Sequence, residues 1–239
     1  MRKNSEKGFS LMESVLALAL FFIVVLASFE FFGFTRSLFL KLKTKEETRE
    51  AAITALDKMR VDLLAGGSGL QKPIELGLLE GISQEEGALV ILSREKNLSP
   101  LNDLLEGQTR IRLQSTSGLK KGREICIFDH HKGEVNSVSR ADKKSIVLSS
   151  PLKHSFLEEK AQVSLLQKIS FFLDKDKQIL RRRTNSSPAQ PLLEDAASFG
   201  LCYEKATNLA RLYLTLKSNK EKKYEISVFP KNTALALRR

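Results

Sequence analysis

From Val15 to Phe29 every residue is uncharged and almost all are apolar, and with mostly apolar flanks the stretch Phe9 to Phe34 covers about 26 residues. As a helix it would be roughly 39 Å long at ~1.5 Å per residue, enough to cross a bilayer with some tilt. Past Thr35 the pattern changes from a uniform run to a stripe. Ala52, Leu56, Met59 and Leu63 recur at i, i+4, i+7 and i+11, the spacing of one helical face. Glu46, Glu47, Arg49, Glu50, Asp57, Lys58, Arg60 and Asp62 fill the opposite face, with Lys58/Asp62 and Asp57/Arg60 at pairing distance. Thr35 to Ala65 contains no Pro or Gly, and Gly66-Gly67 reads as the stop. The pattern therefore predicts one helix from Ser10 to Ala65, roughly 84 Å long. Its first half (9–34) lies in lipid, and its second half (35–65) lays an apolar stripe on a globular domain.

Residues 66–239 read as that domain, and it is rich in strands. Gly66 to Gly87, with Pro73 and no clear period, reads as a connecting loop. Strand character follows at Ala88–Ser93, Thr109–Gln114, Arg123–Asp129, Glu134–Ser139, Ser145–Ser149 and Gln162–Leu166, punctuated by Gly107, Gly118, Gly122, Gly133 and Pro151. Residues 109–167 read as a small, bent β-module. Residues 168–239 read as an antiparallel sheet: Ile169–Leu173 and Gln178–Arg183 flank the polar turn Asp174-Lys175-Asp176-Lys177. Ser198–Tyr203, Leu209–Lys217 and Tyr224–Phe229 complete it. Leu212, Leu214 and Leu216 alternate with Arg211, Tyr213, Thr215 and Lys217, which marks a half-buried strand. The fold class expected is α+β, a long N-terminal helix packed on an antiparallel β-rich domain.

Glu13 interrupts this scheme, because it is a carboxylate one turn from Phe9 at the mouth of the apolar run. A charge in the membrane core costs on the order of 2.5–3.5 kcal/mol by insertion scales. Two readings remain open: Glu13 sits in the headgroup zone of an ordinary anchor, or a cut after Gly8 supplies the new α-ammonium of Phe9 as its partner. Arg2, Lys3 and Lys7 precede the run while Arg36, Lys41, Lys43 and Lys45 follow it. Both flanks are basic, so orientation rests on the short leader staying cytoplasmic.

The stretch Lys7-Gly8-Phe9-Ser10-Leu11-Met12-Glu13 resembles the leader and N-terminus of type IV pilins and the type II secretion pseudopilins. The resemblance implies that residues 1–8 are a leader cut between Gly8 and Phe9 by a prepilin peptidase, which then methylates Phe9. It implies that the apolar helix stays attached, and that Glu13 acts in assembly. A secretory signal has the opposite order and loses its apolar region; Ala17-Leu18-Ala19 lies inside the run. The order Phe171-Phe172-Leu173-Asp174, Leu180-Arg181-Arg182-Arg183, Gln190 to Asp195, Phe199, and Arg211 to Lys217 is similar to the globular domain of PilW-type minor pilins and the J-type minor pseudopilin. The implied partners are other pilins or pseudopilins, the peptidase and an inner-membrane assembly platform. The implied location is the inner membrane, single-pass with the domain outside, and then a pilus or pseudopilus.

Composition changes this picture little. The formal charge is +11, and removing Arg2, Lys3, Glu6 and Lys7 with the leader leaves +9. A pI near 9.6 permits contact with DNA, headgroups or acidic polysaccharide. Arg181, Arg182 and Arg183 beside Lys175 and Lys177 form the candidate basic patch for such contact. Cys126 and Cys202 are the two cysteines; export would permit a disulfide between them, and a buried free thiol is the alternative. Asp129-His130-His131 lacks a third ligand at a telling spacing, and Asp174 with Asp176 offers few oxygens for calcium. No metal or cofactor is therefore expected. No nucleophile elbow, phosphate loop or zinc spacing is present, and His154 has no catalytic partner in sight, so the expectation is a structural protein and not an enzyme. Three rival roles stay open: a J-type pseudopilin for protein export, a DNA-binding component of an uptake pilus, and a signal-anchored periplasmic domain that never polymerises.

Overall fold

The computed structural model describes residues 10–237, so the expected cleavage pair Gly8 and Phe9 lies outside the described residues. Helix α1 runs from Leu11 to Ala65, and two compact units divide within it, between Ala51 and Ala52. In the first unit, side chains from Ser10 to Ala51 are exposed except at Val25 and Thr48, which are half-buried. An 18-residue window of this helix has mean hydropathy 2.6 with none of it buried, which is long and apolar enough to cross a membrane. Several of its hydroxyls bond within the helix: Ser28 Oγ donates to the Val24 carbonyl at 2.7 Å and Thr35 Oγ1 to the Phe31 carbonyl at 2.8 Å. Such bonding back one turn lets polar side chains sit in an apolar setting without an orphaned donor.

The second unit begins with the last turns of α1. Ala52, Ala55, Leu56, Met59 and Leu63 are buried, which is the stripe the spacing predicts. The helix ends at Ala65, and Gly67 takes φ 74°, a left-handed conformation that glycine adopts without a Cβ penalty. Gly67 N–H then donates to the Leu92 carbonyl, and Asn232 Nδ2 donates to the Leu64 carbonyl at 3.0 Å. The helix terminus is thereby tied to two distant segments.

The strands are β1 (Ile82–Glu85), β2 (Ala88–Leu98), β3 (Arg110–Arg112), β4 (Glu124–Phe128), β5 (Gly133–Ala141), β6 (Ser145–Leu148), β7 (Gln162–Asp174), β8 (Ile179–Thr184), β9 (Gln190–Leu193), β10 (Ala196–Glu204), β11 (Leu209–Leu216) and β12 (Asn219–Val228). Short helices α2 (Gln71–Glu75) and α3 (Lys231–Leu237) complete the elements. The larger sheet runs β1-β2-β7-β4-β5-β6-β3, with β8 also on β7 and β9 on β8; the smaller one is β10-β11-β12. All pairings are antiparallel. The architecture is α+β, with one long apolar N-terminal helix and a large antiparallel domain.

Strand β7 organises this unit. Its Gln162–Leu165 half pairs with β4 and its Ile169–Asp174 half with β8, while β2 lies along its other edge. The two runs expected at Gln162–Leu166 and Ile169–Leu173 are thus one strand, which crosses the expected module boundary at 167/168. Each half feeds its own core. Ile169 and Phe171 join the α1 stripe, Leu89, Ile91, Leu180, the leucines of β10 and β11, and Val228 of β12. Val163 and Leu165 join Ile111, Leu113, Ile125, Ile127, Val138 and Ile146.

Two expectations fail here. Gly66 to Gly87 is not a bare loop, since it holds α2 and β1. Strand β1 is joined to β2 by Glu86 at φ 49° and Gly87 at φ 80°, a two-residue left-handed turn of the hairpin type. Glutamate is a poor advertisement for such a turn, so the hairpin stays hidden in the sequence. Asp62, expected on the solvent face with Lys58, is buried, and the reason lies in β8.

Candidate functional site

The N-terminus of α1 carries the feature that set Glu13 apart. Ser10 backbone N–H donates to Glu13 Oε2 at 3.0 Å, and Glu13 backbone N–H donates to Ser10 Oγ at 3.2 Å. This is a reciprocal capping box: two amides that have no partner inside the helix are satisfied, and the carboxylate sits at the positive end of the helix dipole. The S-x-x-E spacing from Ser10 to Glu13 is the sequence signal for this box. Both bonded groups lie after Phe9, so a cut at Gly8/Phe9 would leave the box intact.

The three arginines of the expected basic patch do not share one surface. They stand on consecutive positions of β8, where side chains alternate between faces. Arg182 points at the helix: its Nε donates to Asp62 Oδ2 at 2.7 Å and its Nη2 to Asp62 Oδ1 at 3.3 Å. Lys58 Nζ stands 4.0 Å from the same carboxylate. Arg181 turns the other way and donates from Nε to Asp174 Oδ2 at 2.9 Å. Lys177 N–H also donates to Asp174, and these two bonds hold its carboxyl below the usual carboxylate range. Asp174 therefore closes the hairpin as a turn residue. Arg183 lies over the Phe172 ring, 5.1 Å from its centroid.

Arg183 also lines a cleft of about 250 Å³ with Arg123, Lys168, Ser170, Asn185 and Ser186. Its cations are largely matched. Arg123 pairs with Glu95, and Lys168 Nζ lies 3.1 Å from Glu85. What reads as a run of positive charge along the chain is a set of separate ion pairs and stacks in space.

Cys126 and Cys202 are free thiols. Cys126 lies in β4 of the large sheet and is fully buried, whereas Cys202 lies exposed in β10 of the small sheet. Of the two alternatives left open by the sequence, the free thiols are the one found. Burial pushes the Cys126 thiol up to about 12, so it has almost no thiolate at neutral pH. Native protein treated with iodoacetamide at pH 8 should gain one adduct, at Cys202, and a second only in denaturant; intact mass reads both. Among the described residues no group of three His, Cys, Asp or Glu side chains stands ready to hold a metal. Asp129, next to His130 and His131, instead accepts the backbone N–H groups of His131 and Lys132 at 2.7 and 2.9 Å.

Neither a family model nor a curated protein matches the chain. Among solved structures, one similar region is in the Gp54 tailspike of Acinetobacter baumannii bacteriophage AP22, a structure in complex with A. baumannii capsular saccharide. It aligns at 12% identity and TM-score 0.29, over 32% of this chain and 15% of the tailspike. The tailspike gp49 of Pseudomonas phage LKA1 aligns at 17% identity and TM-score 0.27, over 32% of this chain and 14% of the tailspike. The phage phi92 endosialidase aligns at 9% identity and TM-score 0.21, over 61% of this chain and 36% of that protein. This chain spans a minor part of each of these proteins, and likeness at such TM-scores carries no argument about its fold or activity.

Proposed function

We propose that the chain is a pilin-like structural subunit. It is cut between Gly8 and Phe9, methylated on Phe9, held in the inner membrane by α1, and assembled through that helix into a type IV pilus-like fibre or its priming complex. The observation that carries this reading is the order of features in one helix. A short basic leader and Gly8-Phe9 precede the Glu13 cap, an exposed apolar surface runs from Leu11 to Leu42, and a buried stripe follows from Ala52 to Leu63. A helix whose last turns lie in a domain core and whose earlier turns are mostly apolar and exposed is suited to exchanging lipid neighbours for protein ones. Packing in lipid gains little from hydrophobicity itself, so polar contacts would set register. Glu13 uses one carboxylate oxygen in its cap, and the other would take the Phe9 ammonium of this or a neighbouring subunit. The domain itself is proposed to be non-catalytic, carried by the spine to the fibre.

Glu13 has two separable roles here, capping and ion pairing. Glu13→Gln preserves the box, because glutamine also serves at that position, but removes the charge. The variant is therefore expected to enter the membrane normally and to lose incorporation into the fibre, and Glu13→Ala should lose it as well. Incorporation of Glu13→Gln at the wild-type level, measured by quantifying the subunit in sheared fibres, would confine Glu13 to capping. Membrane retention without cross-links between helices would favour the signal-anchored domain instead. Co-purification with a secretion apparatus would favour the J-type role. The DNA-uptake reading would rest on Arg181 and Arg183, which share a face of β8, since Arg182 is turned to Asp62.

A further inference from the structure

Helix α1 holds a second carboxylate within its apolar part, Glu30, set among Phe29, Phe31, Phe32 and Phe34. Glu30 and Arg36 are both exposed, and neither side chain has a hydrogen bond or ion pair among the described residues. Neither finds a partner on its own helix face. The positions three and four away from Glu30 are Leu26, Ala27, Gly33 and Phe34, and those around Arg36 are Phe32, Gly33, Phe39 and Leu40. The two cannot reach each other within one helix, because six residues separate them by about 9 Å of rise and turn them about 120° apart. An ionisable residue without a partner in an apolar span marks a contact still to be made.

Gly33 stands midway between them on the same i, i+3, i+6 row. A Cβ placed on it would meet nothing within 4 Å, and small residues of this kind let two helices approach closely. We propose that Glu30 of one copy pairs with Arg36 of a second, parallel copy whose helix is shifted along the axis by about 9 Å and crosses near Gly33. Both copies must enter the membrane in the same direction, so an antiparallel exchange of the two charges is closed to them. A parallel pair with no shift would set Glu30 against Glu30 and Arg36 against Arg36. The staggered arrangement is the one in which opposite charges meet, and repeating it gives each copy one neighbour above and one below. This inference rests on the proposed self-assembly through α1 and names the contact that sets its spacing.

The test uses full-length chains in membranes, one copy tagged and one untagged, with co-purification in mild detergent as the readout. Glu30→Arg and Arg36→Glu should each lower self-association by about tenfold or more, since each puts like charges together at the contact. The double variant Glu30→Arg/Arg36→Glu should recover it. Glu30→Arg copies mixed with Arg36→Glu copies should associate with one another, a rescue that damaged folding or insertion could not produce. Undiminished self-association of both single variants, or failure of the rescue, overturns the Glu30–Arg36 contact and leaves self-assembly standing. Absence of co-purification between wild-type copies overturns self-assembly and this contact together. Recovery of a different protein in a Glu30-dependent manner, in place of the second copy, overturns the choice of partner.

Discussion

Replacing Asp62 by alanine is expected to cost about 3–5 kcal/mol, the range for breaking a buried ion pair by removing one member. The Asp62 side chain is 9% exposed and that of Arg182 21%, so the guanidinium left behind would keep little water. Two hydrogen bonds in a forked geometry are lost with the carboxylate. The partner change behaves differently. A double variant Asp62→Leu/Arg182→Met removes both charges and fills similar volume, and should recover most of the loss. Urea unfolding of the two variants, read as midpoints at constant slope, checks both statements. If the single change costs under about 1 kcal/mol, the pair behaves as a surface bridge and the helix is held by its apolar stripe and the bonds at its C-terminal end.

Phe171→Ala should have a comparable effect, about 3–5 kcal/mol. Phe171 is fully buried at the middle of β7, opposite Leu89 on β2 and Arg182 on β8. It belongs to the core that also holds Met59, Leu63 and Leu212. The smaller residue leaves a void bounded by a helix and two sheets, which cannot all close on it at once. Exposed Phe229, by contrast, should tolerate alanine within about 0.5 kcal/mol.

The sequence pattern reaches furthest where periodicity and burial coincide. The α1 stripe and the alternation of Leu212, Leu214 and Leu216 are both buried as their spacing implies. It reaches least far where a residue's partner is remote in the chain. Asp62 reads as a solvent residue beside Lys58, because Arg182, 120 positions away, supplies the reason for its burial. Three consecutive arginines read as one patch only if they are taken as a string; taken as a strand, they divide between two faces. The β1–β2 hairpin is hidden because its turn places Glu86, and not Asn or Asp, in a left-handed conformation. Glu30 is the other charge inside 9–34, and its lack of any helical partner follows from counting three and four positions either way.

All of this converges on whether the apolar helix is kept and its new end begins at Phe9. The direct measurement is the N-terminal peptide mass of the full chain expressed with a prepilin peptidase and purified from membranes. The account predicts a chain starting at Phe9 and carrying one methyl group on its amine, with Leu11 to Phe34 retained. A chain that still begins at Met1, or one cut after Ala19 with its apolar segment lost, would contradict it.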